Sequence, residues 1–421
     1  MSSTTLNRDL FEAAVAALPA DNLAPVRARA AELFSNEGFP STKDEDWKYT
    51  NMSAATAASN DWLSEPRSRV TPDVNSQRIG GVLAELSAQI DAAWLIVHNG
   101  VVTSDRLQSL ELQDGLAVST LADSKQLPDI AVDTALSAFN AALLEDGIHV
   151  RVNADAKIER PLGILLVDDP ASRTSQTRIV IEARENSALR VIEVARSVGD
   201  ENQFTNAVTQ IDLAAGARVD HLRLQDRSKE HIGTHRLVAQ AQAESTFSHN
   251  AFDFGGSLTR NDVIARIMGS GASVNLHGLY LGAGKQHIDN HTRVEHRVGP
   301  AVSEEIYRGI LNGQARGVFN GQAIVFEGAD GTDANQANHN LLLSDKAEID
   351  TKPELEIYAD DVKCSHGATV GQLDEKSLFY LRTRGLDAAE ATHLLTRAFA
   401  AEILASLVVE EAHEYLQALL D

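Results

Sequence analysis

Three short stretches, Gly216-Ala217-Arg218-Val219, Glu244-Ser245-Thr246-Phe247 and Gly271-Ala272-Ser273-Val274, share one pattern and recur at almost constant spacing. Each begins with a glycine or polar residue, continues with a small residue and a variable one, and ends with a large apolar residue. The second copy follows the first after 28 residues, and the third follows the second after 27. The same pattern returns at Lys346-Ala347-Glu348-Ile349 and Gly367-Ala368-Thr369-Val370.

The segments between these turns alternate polar and apolar residues, as in Val219-Asp220-His221-Leu222-Arg223-Leu224 and Glu354-Leu355-Glu356-Ile357. Alternation with a period of two predicts β-strands. A repeat in the twenties, made of short strands without helices between them, is typical of a β-solenoid, whose coils stack because no single coil can bury its apolar face. A β-sandwich is the competing all-β fold, since its strands are also regularly spaced. The repeat favours the solenoid.

Helical patterns lie on both sides of this region. Residues 7–36 read as two helices, and the stripe of Ala391, Leu394 and Ala398 predicts another near the C-terminus. Asn99-Gly100 between two apolar runs predicts a hairpin turn. Residues 56–79 read as a loose linker, and residues 131–145 as a helix.

The expected organisation therefore has four parts. These are an N-terminal helical region over 1–60, a linker and mixed α/β segment over 61–150, a β-helix core over 151–370 and a C-terminal helical region over 371–421. We expect the helical regions to cover the open edges of the solenoid, because an uncovered edge strand invites pairing with another chain. An uncovered edge would favour a homodimer of the isolated chain.

The composition excludes several classes of protein. The 421 residues carry 60 acidic and 37 basic side chains, for a formal charge of −23. Such a chain offers no basic surface to nucleic acid or to an anionic membrane. The sequence has one cysteine, shows no leader-like start and contains no apolar run long enough to span a bilayer. We expect a cytoplasmic protein that binds neither nucleic acid nor membranes.

Familiar catalytic motifs are absent from the sequence. Gly284-Lys285 superficially resembles a phosphate-binding loop, but Gln286 replaces the magnesium-binding Ser or Thr and Leu279 replaces the first glycine. There is no Gly-x-Ser-x-Gly elbow and no paired-histidine zinc motif.

Two acidic or histidine-rich stretches are weak metal-site candidates. His287, His291 and His296 lie close in sequence to Asp289 and Glu295, but the first two differ in parity from the third and cannot share one face of a strand. We expect them on a solvated face of the solenoid. Asp360-Asp361 contains hard ligands that suit calcium, but such a pair is more typical of an exposed turn.

The remaining candidate is the segment Asp361-Val362-Lys363-Cys364-Ser365-His366-Gly367. Residues two apart on a strand point the same way, so Cys364 and His366 would share a face, and both are suitable ligands for soft or borderline metals. Alternatively, Cys364 is a small hydrophobic residue of the interior and His366 a core histidine. One cysteine and one histidine do not complete a coordination sphere, so a metal site at His366 would need ligands from a partner chain.

From Thr332 to Gly385 the sequence strongly resembles the SufB/SufD family of iron–sulfur cluster assembly proteins. The resemblance rests on the stretches at 332–344, 350–369 and 378–385, with weaker matches at 303–310, 38–40 and 46–50. The motif Cys364-Ser365-His366-Gly367 and the chain length place it closer to the SufD branch than to the SufB branch.

This resemblance implies a right-handed parallel β-helix between helical ends, in a complex with SufB and the ATPase SufC. Nascent clusters would form transiently where SufB and SufD meet, and ATP would bind only to SufC, so the isolated chain would hold no cofactor. His366 matches the histidine that takes part in cluster assembly at that interface. Cys364 ranks below it, because the sulfur-accepting cysteine of the family belongs to SufB. The SufC contact would map to the helical stretch that contains Leu378, Phe379, Tyr380, Arg382 and Arg384.

We therefore expect a scaffold subunit rather than a free-standing enzyme. Two other functions remain as alternatives. The chain would be a purely structural adaptor for SufB and SufC if His366 were only a packing residue. A solenoid enzyme acting on polysaccharides is the other alternative, and it predicts secretion.

Overall fold

The computed structural model describes residues 5–65, 77–124, 126–201 and 203–420. Helices α1 (Arg8–Ala16), α2 (Ala24–Glu37) and α3 (Ser53–Ser64) come first, with a 3₁₀ turn at Glu45–Trp47. Helix α4 (Gln77–Gln89) precedes the strands. The expected loose linker over 56–79 is wrong in its first part, because α3 continues to Ser64. Residues 66–76 of that stretch lie outside the described residues.

The strands, together with two helices that interrupt them, make up the middle of the chain. In chain order they are β1 (Ala93–His98), β2 (Val101–Val102), α5 (Ser104–Ser109), β3 (Leu116–Thr120), α6 (Ala135–Ala142), β4 (Ile148–Val152), β5 (Leu162–Asp168), β6 (Thr174–Ala183), β7 (Ala188–Ser197), β8 (Phe204–Leu213), β9 (Arg218–Asp226), β10 (Ile232–Ala241), β11 (Thr246–Asp253), β12 (Leu258–Ile267), β13 (Ser273–Gly282), β14 (His287–His296), β15 (Val302–Leu311), β16 (Arg316–Val325), β17 (Asp333–Leu342), β18 (Glu348–Ile357) and β19 (Lys363–Gly371).

These strands form two sheets, and the chain alternates between them. From β4 onward the even strands join one sheet, which ends at β18, and the odd strands join the other, which ends at β19. Pairing along both sheets is parallel from β4 and β5 onward, so each coil contributes one strand to each sheet. This is a parallel β-solenoid of about eight turns. The predicted β-helix is confirmed, and β1 and β4, which both begin within the segment 61–150, pair in parallel with β5 and β6.

The repeated turn sets the register of the coils. Arg218 pairs with Thr246, and Thr246 pairs with Ser273, so the same position of each repeat stacks on the next. The first residue of the pattern has a left-handed backbone in all three copies, with φ of 67° at Gly216, 59° at Glu244 and 74° at Gly271. Such turns favour glycine, which explains why the sequence signal is visible. The apolar residue that ends the pattern, such as Val219, then points into the interior.

The predicted hairpin at Asn99-Gly100 is also confirmed. Strands β1 and β2 pair antiparallel, with Val97 opposite Val102. Both turn residues have positive φ, 48° at Asn99 and 84° at Gly100, as a tight hairpin turn requires.

Helices cover the outer faces of both sheets. Helices α4, α8 (Ala388–Ala405) and α9 (His413–Leu420) pack on the outward side chains of the odd strands, including Leu165, Ile192 and Phe252. The helices α1, α2, α3 and α6 gather aromatic rings against the even strands. The ring centroids of Phe34 and Phe139 are 4.9 Å apart there.

The expectation that the helical regions cover the open edges of the solenoid is wrong at its C-terminal end. Apolar helix stripes are buried best against apolar sheet faces, and the outward faces of these sheets are apolar. Within the described residues, β18 and β19 each pair with one neighbour only. None of the helices in the described part of the chain is long and apolar enough to cross a membrane.

Candidate site at the open end of the β-helix

The last coil, formed by β18 and β19, is uncovered on its outer side. In the part of the chain that the structure describes, β18 pairs only with β16 and β19 only with β17, so each has an edge of unpaired N–H and C=O groups. Large apolar side chains of this coil are exposed, with 52% of Val370 and 61% of Tyr358 accessible to solvent. We call β18 and β19 together the open coil.

Cys364 and His366 both lie on the interior-facing side of β19. Cys364 is the register partner of Ala334 and His366 that of Gln336, and both partners are buried. The predicted sharing of one face by Cys364 and His366 therefore follows from the register. Because no further coil stacks on β19 in the described chain, Cys364 is only half-buried and His366 is exposed.

Cys364 and His366 differ in how available they are to bind a metal ion or a partner. Partial burial, with the negative charge of Asp333 nearby, raises the pKa of the Cys364 thiol. A protonated thiol is a poor nucleophile and a poor metal ligand, because the thiolate is the reactive form. His366 has no hydrogen-bond partner among the described residues, so its ring nitrogens are free to bind a partner or a metal ion. His366 is therefore the stronger candidate of the two.

The described residues of this chain do not complete a metal site by themselves. Among residues 5–65, 77–124, 126–201 and 203–420, no three His, Cys, Asp or Glu side chains gather in a way that could hold a metal ion. Cys364 and His366 are the only cysteine and histidine of the open coil, and the edge beside them is free. Further ligands would have to come from outside the chain.

A buried polar pair lies directly behind His366. Gln336 donates a hydrogen bond of 3.1 Å from Nε2 to Oε2 of Glu305, its register partner on β15, and Thr292 donates to the other carboxylate oxygen. Burial raises the pKa of Glu305 to about 7, although both hydrogen bonds work against the rise. Glu305 and Gln336 were not predicted from the sequence, because Ser303-Glu304-Glu305 is polar on both faces of the strand. The amide Oε1 of Gln336 has no hydrogen-bond partner in the described structure.

A second buried cluster, deeper in the solenoid, surrounds Glu193. Its carboxylate lies 3.5 Å from Nε2 of His221, 3.6 Å from Nε2 of His235 and 3.8 Å from Nε of Arg223. Burial opposes the charge, but these neighbours outweigh it and hold the pKa of Glu193 below its usual range. Burial lowers the pKa of His235 well below its usual range, and the charge of Arg223 acts in the same direction. The side chains of the cluster are all closed off from solvent, so its role is to compensate charge within the core.

The His287, His291 and His296 stretch is not a solvated surface, and that expectation is wrong in part. The parity argument holds, because His296 is buried and bonds to Ser303 at 2.8 Å, while His287 on the opposite face bonds to Thr50 at 2.9 Å. Asp289 is fully buried and pairs with Arg260 at 2.6 Å. The segment around Thr50 covers this face and was not expected to do so. Separately, the pair Asp360-Asp361 is exposed in the turn between β18 and β19, as predicted.

Helix α7 (Glu375–Thr383) follows the open coil and buries none of its residues. Asp374 caps it by accepting a hydrogen bond of 2.9 Å from the Ser377 backbone N–H. Phe379 is 70% exposed and Tyr380 56%, and the Arg384 guanidinium lies 5.1 Å from the centroid of the Tyr380 ring. The predicted contact residues Leu378, Phe379, Tyr380, Arg382 and Arg384 are thus brought together on this helix and the residue after it.

The next helix, α8, fastens this unit to the solenoid. Arg308 on β15 donates a hydrogen bond of 3.0 Å to the Phe399 carbonyl and stacks its guanidinium 4.6 Å from the Phe399 ring centroid. Arg308 also forms an ion pair with Glu402. Helix α7 therefore carries exposed apolar side chains, and the helix that follows it is anchored to the solenoid. Exposed apolar side chains of this kind are typical of a surface that binds another protein.

The fold and the site together define a β-helical protein whose last coil and following helix are both open to partners. The chain belongs to the SufB/SufD family of the SUF iron–sulfur cluster assembly system. Its residues 166–399 match the family described as "SUF system FeS cluster assembly, SufBD core domain", and residues 1–164 match "SufBD protein N-terminal region".

Curated relatives agree with this membership. The iron–sulfur cluster assembly protein SufD of Escherichia coli K12 is 30% identical over 88% of this chain and 86% of its own length. An iron–sulfur cluster assembly SufBD family protein of Synechocystis is 31% identical over 90% of this chain and 86% of its own length. SufD of Bacillus subtilis is 22% identical over 90% of this chain and 88% of its own length.

Proposed function

We propose that this chain is the SufD-type scaffold subunit of a SUF assembly complex, in which it pairs with SufB and with the ATPase SufC in the cytoplasm. Nascent iron–sulfur clusters would form where its open coil meets SufB. The observation that carries the proposal is the uncovered coil β18–β19, which presents Cys364 and His366 at its free edge. The similarity to proteins named SufD supports the assignment to the SUF system.

Pairing with SufB would satisfy the unpaired backbone groups of the open coil and cover its exposed side chains. A second β-helix aligned with β18 and β19 would satisfy the unpaired backbone groups of both edges. It would also bury the exposed apolar side chains Ile357, Tyr358 and Val370. In the absence of SufB, the same edges would support a homodimer of this chain.

His366 would then face the partner across the interface between the open coil and SufB, which we call the seam. A neutral imidazole can bind iron, which is the substrate of the assembly reaction, or take up a proton as sulfide is incorporated. The partner would supply the remaining ligands, because Cys364 is the only other cysteine or histidine of the open coil and no group of three ligands gathers there in the described chain. Cys364, whose pKa is raised by partial burial, has a secondary role in this proposal.

Helix α7 would bind SufC through Phe379 and Tyr380, with Leu378, Arg382 and Arg384 around them. ATP belongs to SufC in this arrangement, and the chain itself catalyses no reaction. Closure of two SufC subunits would pull the C-terminal helices together and strain the seam between SufB and this chain, since α8 is anchored to β15 through Arg308.

The test is His366→Ala in cells that depend on this pathway, with Ser365→Ala as the matched control. Ser365 neighbours His366 on β19 but faces outward, where it bonds to Asn335. We expect His366→Ala to abolish iron–sulfur cluster formation while SufB and SufC still co-purify with the chain, and Ser365→Ala to behave as wild type. Unchanged cluster formation in His366→Ala would refute the site.

The second candidate function is a structural adaptor that only holds SufB and SufC in place. It is favoured by the absence of a complete ligand set among the described residues. The same His366→Ala variant separates the two functions. Loss of co-purification together with cluster formation would support the adaptor, because His366 would then be a packing residue of the seam.

A further inference from the structure

Three interior-facing residues stack in register from the core to the open coil. Glu305 on β15 pairs with Gln336 on β17, and Gln336 pairs with His366 on β19. Register partners of parallel strands point to the same face and lie about 4.8 Å apart. Glu305 and Gln336 are buried, whereas His366 is exposed at the end of the stack. We call these three residues the inner polar column.

Among the buried side-chain polar atoms of the column, Oε1 of Gln336 is the one without a hydrogen-bond partner in the described structure. The Glu305 carboxylate accepts hydrogen bonds from Thr292 and from Nε2 of Gln336. The Gln336 amide is oriented with Nε2 toward the carboxyl, whose Oε2 accepts this bond in the ionised form and, as the carbonyl oxygen, in the protonated form. Oε1 of Gln336 is left buried without a donor. A buried acceptor without a donor is costly, and His366 is the next residue along the stack.

We propose that Gln336 and Glu305 are positioning residues for His366, and that Oε1 of Gln336 accepts the ring N–H of His366 when a partner covers the open coil. Glu305 acts through Gln336, by holding the amide so that its oxygen points toward β19. The inference rests on the proposed pairing with SufB, since water competes for the His366 ring while the coil is open.

The opposite wall of the solenoid is shaped for this amide. Gly321 on β16 lies across the interior, and a Cβ built on it would come within 2.4 Å of Nε2 of Gln336. The same Cβ would lie 2.8 Å from Cε1 of Phe319, so the space is tight around the amide head. Glycine at position 321 therefore leaves the room that the Gln336 side chain occupies.

The chemical consequence is a single tautomer of His366 at the seam. A neutral imidazole has one N–H donor and one bare acceptor nitrogen, and the bond made by one nitrogen decides the state of the other. Histidine ligands of metals are oriented by such outer partners, which fix the ring and raise its basicity. The column would thus present the bare nitrogen of His366 to iron or to a proton at the interface.

The experiment is solid-state ¹⁵N NMR of the sedimented complex of this chain with SufB and SufC, with only this chain's histidines labelled. Signals of His366 are identified by their loss in His366→Gln. The variants are Gln336→Leu, which removes the acceptor, and Gly321→Ala, which displaces the amide and leaves the column residues unchanged. The matched control is Asn335→Leu, since Asn335 is adjacent to Gln336 on β17 but points outward to Ser365.

In the wild-type complex we expect one neutral tautomer of His366. Both Gln336→Leu and Gly321→Ala should shift the tautomer ratio about fivefold, the effect of losing one neutral hydrogen bond. Asn335→Leu should leave the ratio unchanged. If Gln336→Leu does not fold, Gly321→Ala alone decides the question.

Unchanged His366 signals in Gly321→Ala, or an even mixture of tautomers in the wild-type complex, would overturn the inference. Failure of the proposed function is visible separately. A chain that does not sediment with SufB and SufC refutes the pairing and the column together. Intact cluster formation in His366→Ala refutes the role of His366 while leaving the tautomer measurement valid.

Discussion

The ring of Tyr280 on β13 lies directly against Gly309, its register partner on β15, in the interior of the β-helix. The relation is reciprocal, because the ring of Tyr307 lies against Gly278 on the same two strands. The Tyr280 hydroxyl also donates a hydrogen bond to Asn340 Oδ1. Each tyrosine thus fills the volume that the missing side chain of the neighbouring coil leaves open.

This packing predicts that Gly309→Ala is strongly destabilising. The added Cβ would lie 2.3 Å from Cε2 of Tyr280 and 2.5 Å from Oδ1 of Asn340, so a rigid ring must move in a closed interior. We expect the free energy of unfolding to fall by about 3 kcal/mol, as is typical of overpacking in a core. Denaturant unfolding measures the change. Gly371→Ala on β19 is the control, since a Cβ there meets nothing within 4 Å. Equal effects of the two substitutions would contradict the packing argument.

Glu305 predicts a pH-dependent difference in stability between the wild type and Glu305→Gln. Burial raises the pKa of Glu305 from 4.5 to about 7. Between these values the folded chain keeps a proton that the unfolded chain has lost, so this residue makes stability fall as pH rises from about 4.5 to about 7. Glutamine has no such titration, and the variant should gain about 3 kcal/mol on the wild type across this window.

The measurement for Glu305 is denaturant unfolding of both proteins at about pH 4.5 and about pH 8, on either side of the window. Only the difference between the proteins is used, because other groups titrate in both. Glu348→Gln, at an exposed position on β18, is the control and should follow the wild type at both pH values. A pH-independent difference between the wild type and Glu305→Gln would show that the carboxyl does not titrate in this range.

The solenoid could be predicted because its signal is local. Gly216, Glu244 and Gly271 adopt the left-handed backbone that the turn requires, and glycine at two of these positions is visible in the sequence. Alternation then assigns the residues after each turn, such as Val219, to the interior. The same alternation correctly placed Cys364 and His366 on one face of β19.

The remaining features depend on contacts between distant parts of the chain. Thr50 donates a hydrogen bond to Asp289, which lies 239 residues away in the sequence. No local sequence pattern predicts that the face of β14 that carries Asp289 is covered by this segment. Polar residues such as Glu305 enter the interior because Thr292 and Gln336 on other strands satisfy them. The position of the helices also depends on distant contacts. They pack on whichever outer surface is apolar once the coils have stacked, and here that surface is the sheet faces and not the open edge.

The hydrogen bonds of Arg178 predict how much this side chain contributes to holding helix α6 on the solenoid. Its guanidinium is fully buried and donates to Asn140 Oδ1 at 2.9 Å, to the Ala131 carbonyl at 3.0 Å and to the Ser137 carbonyl at 3.2 Å. Burial lowers its pKa to about 9. Arg178→Met keeps much of the volume but removes the donor to Asn140 Oδ1 and to the Ala131 carbonyl, whereas the Ser137 carbonyl keeps its bond within α6, so we expect a loss of about 2 kcal/mol in the free energy of unfolding. Denaturant unfolding provides the measurement.

The control for Arg178 is Arg173→Met, at an exposed position just before β6. Exposed substitutions of this kind change stability by no more than about 0.5 kcal/mol. If Arg178→Met is as stable as Arg173→Met, the hydrogen bonds of the Arg178 guanidinium make no net contribution to stability. Helix α6 is then held by apolar packing and by the bonds from Asn140 Nδ2 to the Thr177 and Asn206 carbonyls.

The exposure of Phe379 predicts that a substitution there weakens partner binding without changing the stability of the fold. With 70% of its surface exposed on a helix that buries no residue, Phe379→Asp should leave the free energy of unfolding unchanged within about 0.5 kcal/mol. Under the proposed function it should weaken SufC binding at least about tenfold, because exposed aromatic anchors dominate such interfaces. Calorimetric titration of the purified chain with SufC measures the affinity. Met268→Asp is the matched control, since Met268 is 36% exposed immediately after β12, which belongs to the other sheet from β19, the strand that α7 follows. An equal loss of affinity in both variants would indicate a general charge effect, and undiminished affinity in Phe379→Asp would move the SufC contact away from α7.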